Sequence, residues 1–101
     1  LLAPVMRFNA PACTARLAQV YDAVMPPVAG TPAEKALLVV ERLEQIVAAL
    51  DIPRNLSAYG IERQDLDALV EAGMQVTRLL NNNMRSVTPE DARAIYRQIM
   101  P

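Results

Sequence analysis

Apolar residues recur along this chain at intervals of three and four, the spacing that gathers them on one side of a helix. Leu17, Val20, Tyr21 and Val24 keep that interval between Ala12 and Met25, and Pro26-Pro27 then stops the segment. Leu37, Val40, Leu43, Ile46, Val47 and Leu50 repeat it, with Glu41, Arg42, Glu44 and Gln45 largely opposite, so an amphipathic helix is expected here. Leu66, Leu69, Val70, Gly73, Val76 and Leu80 predict another helix, running from Glu62 or Arg63 to Leu80. Ala92, Ile95, Tyr96 and Ile99 give the last one its face. Ahead of them all, Leu2 to Phe8 is expected to form a short buried helix with Pro4 in its first turn. No stretch alternates apolar and polar residues as a strand does, so the expected fold is all-α, a bundle of about five helices forming a single domain over residues 1–101.

The signals between the stripes sharpen the boundaries. Thr31-Pro32-Ala33-Glu34 has the pattern of a capping box, in which the Thr31 hydroxyl and the Glu34 carboxylate each satisfy a backbone N–H. Thr88-Pro89-Glu90-Asp91 repeats that start. Asp51-Ile52-Pro53-Arg54-Asn55 ends the helix before it, and Leu56 and Tyr59 are expected to tuck back onto the core. Asn81-Asn82-Asn83 ends the next, since asparagine tolerates the left-handed conformation that closes helices. Gly73 within a helix costs about 1 kcal/mol against alanine and implies that a neighbour approaches the backbone closely.

Composition narrows the functional classes. With 101 residues, 52% hydrophobic, 21% charged and a net charge of −1, the chain is a small globular domain with neither a basic stripe nor a charge block. The electrostatic case for nucleic acid or an anionic membrane is therefore absent. Aromatic content is 4% with no tryptophan, so the core is aliphatic and platforms for stacking bases are lacking. There is no histidine, which removes an in-chain Ser-His or Cys-His pair and the commonest metal ligand. One cysteine, Cys13, makes no internal disulfide and points to a reducing, cytoplasmic setting. Three dispersed glycines build no phosphate-binding loop. No apolar run approaches the roughly 20 residues that span a bilayer. The chain starts at Leu1 and enters an apolar segment at once, which reads as the C-terminal piece of a longer polypeptide.

The remaining candidates for chemistry each carry a plainer explanation. Glu41, Glu44, Asp65, Asp67 and Glu71 lie at helical spacings, as the carboxylates of a di-metal bundle do, but the Glu-x-x-His partners are missing and solvated helix faces account for them. Cys13 lies near a helix start, where the dipole can activate a thiol, yet no base is near and a packed small hydrophobe is favoured. Met6, Met25, Met74, Met84 and Met100 form no stripe and read as core filling. Arg7 and Arg85 are placed to bond helix C-terminal carbonyls or a carboxylate.

Three blocks carry a resemblance. Leu1-Leu2-Ala3-Pro4-Val5-Met6-Arg7-Phe8-Asn9-Ala10-Pro11, then Asp51-Ile52-Pro53-Arg54-Asn55-Leu56 with Gly60-Ile61, then Asn83-Met84-Arg85-Ser86-Val87-Thr88-Pro89-Glu90-Asp91, occur in order and cover essentially the whole chain. Together they resemble the C-terminal part of the iron-containing (group III) alcohol dehydrogenases. The likeness departs at two places. Ala3-Pro4 stands where the family reads Leu-Pro-His, and Asn83-Met84-Arg85 stands for Asn-Pro-Arg.

The resemblance implies the helical C-terminal domain of dehydroquinate synthase-like and iron-dependent alcohol dehydrogenases. The parent enzyme has an N-terminal α/β domain that binds NAD or NADP and a cleft that holds iron or zinc. The metal acts there as a Lewis acid on an alcohol or aldehyde oxygen during hydride transfer. The family's ligands, one Asp and three His, lie upstream of the block resembling Leu1 to Asn9. None transfers to this chain, which alone is expected to hold no metal and turn over no alcohol. By position, Leu79 is nominated as a wall residue of the substrate pocket, while a core leucine is the favoured explanation. The implied partners are the nucleotide-binding domain and a homo-oligomeric copy, without nucleic acid or membrane. The alternative is a free-standing truncated remnant acting as a small helical interaction or self-associating protein.

Overall fold

The computed structural model describes every residue, Leu1–Pro101, and contains helices and turns without a strand. Six α-helices follow one another: α1 (Leu2–Asn9), α2 (Thr14–Val24), α3 (Pro32–Ala49), α4 (Leu66–Met74), α5 (Thr77–Asn81) and α6 (Pro89–Arg97), with single 3₁₀ turns at Ala10–Ala12, Leu56–Tyr59 and Arg63–Asp65. The all-α expectation holds, with one helix more than the sequence predicts. The chain divides into two compact units, Leu2–Asp51 and Ile52–Pro101, with Leu1 grouped in the latter.

In the N-terminal unit α2 and α3 form an antiparallel pair and α1 lies on α3. Its core is a cluster of Ala10, Cys13, Leu17, Tyr21, Ala36, Val39 and Val40, with Met6, Met25 and Leu38 packed around it. Small residues at Ala10, Cys13 and Ala36 let the helix axes approach, and Val40, the one large side chain fully removed from solvent, fills the space between them. Cys13 sits at the start of α2 and donates its S–H to the Asn9 carbonyl at 3.3 Å, a packed thiol rather than an exposed one. Tyr21 donates its hydroxyl to the Pro26 carbonyl at 2.8 Å, which fastens the Pro-Pro stop to the helix it ends. Arg7 reaches Glu44 with Nε at 3.1 Å and a terminal nitrogen at 2.7 Å, so its partner is a carboxylate on α3. Lys35 meets Asp22 at 2.7 Å, joining α3 to α2.

The buried faces are narrower than the apolar stripes. Of the α2 stripe Leu17 and Tyr21 are buried, joined by Ala18, whereas Val20 and Val24 are exposed, Val24 to 75%. On α3 the inward set is Ala36, Val39 and Val40, whereas Leu37 and Ile46, and Leu50 just past its end, face solvent. Only Ala3 and Asn9 of α1 are fully buried, so the short buried helix is amphipathic. Thr31 caps α3 as expected, accepting from the Glu34 N–H at 3.2 Å, but the reciprocal bond from Thr31 N–H to Glu34 is not made. Beyond α3, Asp51 takes the left-handed conformation with φ 58°, the only residue besides glycine to do so.

In the C-terminal unit α4 packs on α6, burying Val70, Ala92 and Ile95. The expected close neighbour of Gly73 is Tyr96 of α6, and that contact fixes how near the two helices come. Arg93 of α6 forms an ion pair with Asp67 of α4. Leu56 N–H donates to the Ile99 carbonyl at 2.7 Å, the Asn55 amide to the Met100 carbonyl at 2.8 Å, and Arg63 Nε to the Pro101 carbonyl at 2.7 Å, which ties the connector to the segment after α6. Leu56 is half-buried by this arrangement, while Tyr59 remains 65% exposed and does not tuck in.

The helix expected from Glu62 to Leu80 is interrupted. Gln75 and Val76 close the end of α4 with 3₁₀-type bonds to Ala72 and Gly73, and Val76 leaves helical space at φ −81°, ψ 61° before α5 begins. The adjacent β-branched pair Val76-Thr77 favours such a departure, which a count of apolar positions does not register. Gly60 closes the turn of Leu56–Tyr59 at φ 80°, with nothing within 4 Å of an added Cβ. Gly60→Ala is therefore expected to cost about 1 kcal/mol from backbone strain alone, with no packing defect, a loss that chemical denaturation of the chain will measure.

Candidate functional site

The position nominated as a pocket wall lies on α5, between the break at Val76 and the turn before α6. A helix of five residues has no length to bury a full face; Leu80 is half-buried, and its N–H donates to the Val76 carbonyl at 3.1 Å. Leu79, its neighbour, is 60% exposed, and Val76 and Met84 are exposed as well. The core explanation for Leu79 does not hold in this structure. Nor does Met84 fill a core.

The turn after α5 is built by side-chain amides. Asn82 Nδ2 donates to the Arg78 carbonyl at 2.9 Å and Asn83 Nδ2 to the Arg85 carbonyl at 2.7 Å. Asn82 itself keeps right-handed geometry at φ −93°, so it ends the helix by capping the Arg78 carbonyl and not by turning left-handed, while the bond of Asn83 braces the turn beyond the helix. Downstream, the second expected capping box is complete: Asp91 N–H donates to the Thr88 hydroxyl at 3.1 Å and Thr88 N–H to the Asp91 carboxylate at 3.0 Å. The bond from the Thr88 backbone, then that from its hydroxyl, hold the Asp91 carboxyl below the usual carboxylate range, and the charge of Arg85 adds to this.

A carboxyl whose native pKa is depressed stabilises the folded chain above its unfolded pKa, and that contribution disappears as pH falls through the native value. Wild-type chain should lose stability progressively below about pH 4, whereas Asp91→Asn, already lacking the charge, should show a shallower acid limb. Urea midpoints measured across that range check the difference in slope.

The carboxylates singled out from the sequence are not assembled. Glu44 is taken by Arg7, Asp65 accepts the Glu62 N–H at 2.8 Å as the cap of a 3₁₀ turn, and Asp67 pairs with Arg93. Glu41 and Glu71 are exposed. No three His, Cys, Asp or Glu side chains come together as metal ligands would. No helix is long and apolar enough to cross a membrane. The ties Lys35–Asp22 and Arg93–Asp67 escape sequence reading because each joins residues on different helices, where no fixed interval marks the pair.

Residues 1–100 match the profile of the Fe-containing alcohol dehydrogenase family, C-terminal. The chain belongs to that family. Among curated relatives, Long-chain-alcohol dehydrogenase 1 of Geobacillus thermodenitrificans (strain NG80-2) is 33% identical over 97 residues, which is 95% of this chain and 25% of the relative. Sulfoacetaldehyde reductase of Bilophila wadsworthia (strain 3_1_6) is 34% identical over 62 residues, 61% of this chain and 16% of the relative. The chain thus spans a quarter or less of the relatives it matches. No solved structure matches it. As a member of the Fe-containing alcohol dehydrogenase C-terminal family, the chain is all-helical, in agreement with the fold class the resemblance implies.

Proposed function

We propose that this chain serves as the helical C-terminal part of an NAD(P)-linked, iron- or zinc-dependent oxidoreductase acting on an alcohol or aldehyde, and that the reacting groups belong to the rest of such an enzyme. The observation that carries this reading is the family match along nearly the whole chain, joined to relatives about four times its length. The residues present do not fit the metal: there is no histidine and no triad of ligating side chains, so no catalytic step is assigned to them. What the chain contributes is shape. Leu79, held outward on α5, supplies apolar pocket wall, and the exposed aliphatics of α2 and α3 supply packing surface for the nucleotide-binding domain in a soluble, cytoplasmic enzyme.

Metal analysis and an NAD(P)-linked assay test this directly. The purified 101-residue chain should carry no stoichiometric iron or zinc and oxidise no alcohol, and either activity in this chain by itself would overturn the reading. Leu79→Ala should change stability by less than about 0.5 kcal/mol, because the side chain is exposed, yet alter KM for substrate in the complete enzyme.

A second reading, a free-standing helical protein that associates with itself, rests on the same exposed residues Val20, Val24 and Leu37. Light scattering separates the two. A discrete dimer of the 101-residue chain supports self-association, and a monomer or polydisperse material supports the enzyme part.

A further inference from the structure

The buried residues of the two compact units are unequal in kind. The N-terminal core joins three elements around an 18-residue helix and includes Leu17, Tyr21 and the fully enclosed Val40. In the C-terminal unit only Val70, Ala92 and Ile95 are buried, and they are carried by helices of nine residues, with α5 adding five more. Helices shorter than about 12 residues are marginal in water and depend on tertiary burial, and a small unit with little burial has little free energy to hold them. Several of the ties that close this unit, among them Arg63 to the Pro101 carbonyl and Arg93 to Asp67, are solvent-accessible polar contacts, worth little each.

The joint between the units is equally distinctive. Asp51 holds a left-handed φ of 58° at the end of the N-terminal unit, and the next three residues are exposed. Neither Ile52 nor Arg54 donates a backbone hydrogen bond, and no side chain from Asp51 to Arg54 has a partner. Unfolding beyond this point breaks no hydrogen bond donated by Ile52 or Arg54.

We infer that the C-terminal unit is a separate and weaker cooperative unit, which opens from the joint at Asp51–Arg54 while α1, α2 and α3 stay folded. Proteins open in such contiguous blocks at free energies below that of global unfolding, and segments that must rearrange around ligands are drawn from the less stable blocks. The exposed Val76 and, on α5, the exposed Leu79 lie in the block that opens first. The inference holds for this chain whether or not Leu79 meets a substrate.

Native-state hydrogen exchange on the intact chain, resolved by peptide mass spectrometry in mild denaturant, provides the test. Amides of α4 and α6 should exchange roughly tenfold or more faster than those in the middle of α3. Ile95→Val should accelerate α4 and α6 again and leave α1 to α3 unchanged, while Val40→Ala should accelerate α1 to α3 and leave α4 and α6 unchanged. Equal protection in all helices, or acceleration of α1 to α3 by Ile95→Val to the same degree as α4 and α6, would overturn it.

Discussion

Val40→Asp is expected to unfold the N-terminal helical unit. Val40 is the only large side chain with no exposure at all, and it belongs to the cluster that includes Leu17, Tyr21 and Ala36. The side chains of that cluster are apolar but for the Cys13 thiol and the Tyr21 hydroxyl, both already donating to backbone carbonyls, so a carboxylate there would be charged and unpaired or would take up a proton at a cost of several kcal/mol. Stability for a chain of this size amounts to about 5–15 kcal/mol in total, and for part of it to less, so the loss exceeds what the unit can absorb. Val40→Ala is the graded control. It removes two methyl groups and leaves a small cavity, for an expected loss of about 2 kcal/mol with the fold retained. Circular dichroism should show the Asp variant losing much of its helical signal at temperatures where the Ala variant still melts cooperatively. An Asp variant that melts like the Ala variant would mean that water reaches this position.

What the sequence makes legible here is mostly local chemistry. Thr31 and Thr88 mark the starts of α3 and α6 because a cap is a bond between residues three apart, and three apart in sequence is near in space. The same holds for Pro26-Pro27 and for the need of Gly73 for room. Burial is another matter. Leu37, Ile46 and Leu50 satisfy the helical interval as well as Val40 does, yet they are exposed, because periodicity says which residues share a side and not whether another element covers it. For the same reason Val20 and Val24 extend the apolar side of α2 beyond the part that α3 occupies. The break at Val76 is hidden by a stripe that continues through it at correct spacing, the φ/ψ change falling on an apolar position of the stripe itself. Asp51 is hidden differently: the turn after α3 needs a left-handed residue, and Asp fills the place more often given to glycine. The candidate site was legible only as a resemblance. No donor set or charge pattern on α5 marks Leu79, and only its exposure on a helix too short to bury it separates it from a core leucine.

Gly73→Val is expected to pry α4 from α6. A Cβ built on Gly73 would stand 2.8 Å from the Tyr96 hydroxyl oxygen, 3.3 Å from Cε2 and 3.5 Å from Cζ, so the phenol oxygen bounds the space first and the rigid ring edge stands just behind it. Alanine puts two effects in opposition: about 1 kcal/mol gained in helix propensity over glycine, against 1–3 kcal/mol for an overpacked contact. The clash wins narrowly, and Gly73→Ala should lose about 1 kcal/mol. Valine adds two methyl groups and the poorer helix propensity of a branched side chain, and should lose about 3 kcal/mol or more. Removing the phenol oxygen decides whether Tyr96 is the cause. In a Tyr96→Phe background the 2.8 Å contact vanishes and the 3.3 Å contact remains, so Gly73→Ala should become neutral or stabilising while Gly73→Val stays destabilising. A double-mutant cycle from urea denaturation should give a coupling of about 1 kcal/mol or more between the two positions. Additive effects would place the constraint elsewhere, in the helix backbone of α4 itself, and would remove Tyr96 as the residue that sets the distance between these helices.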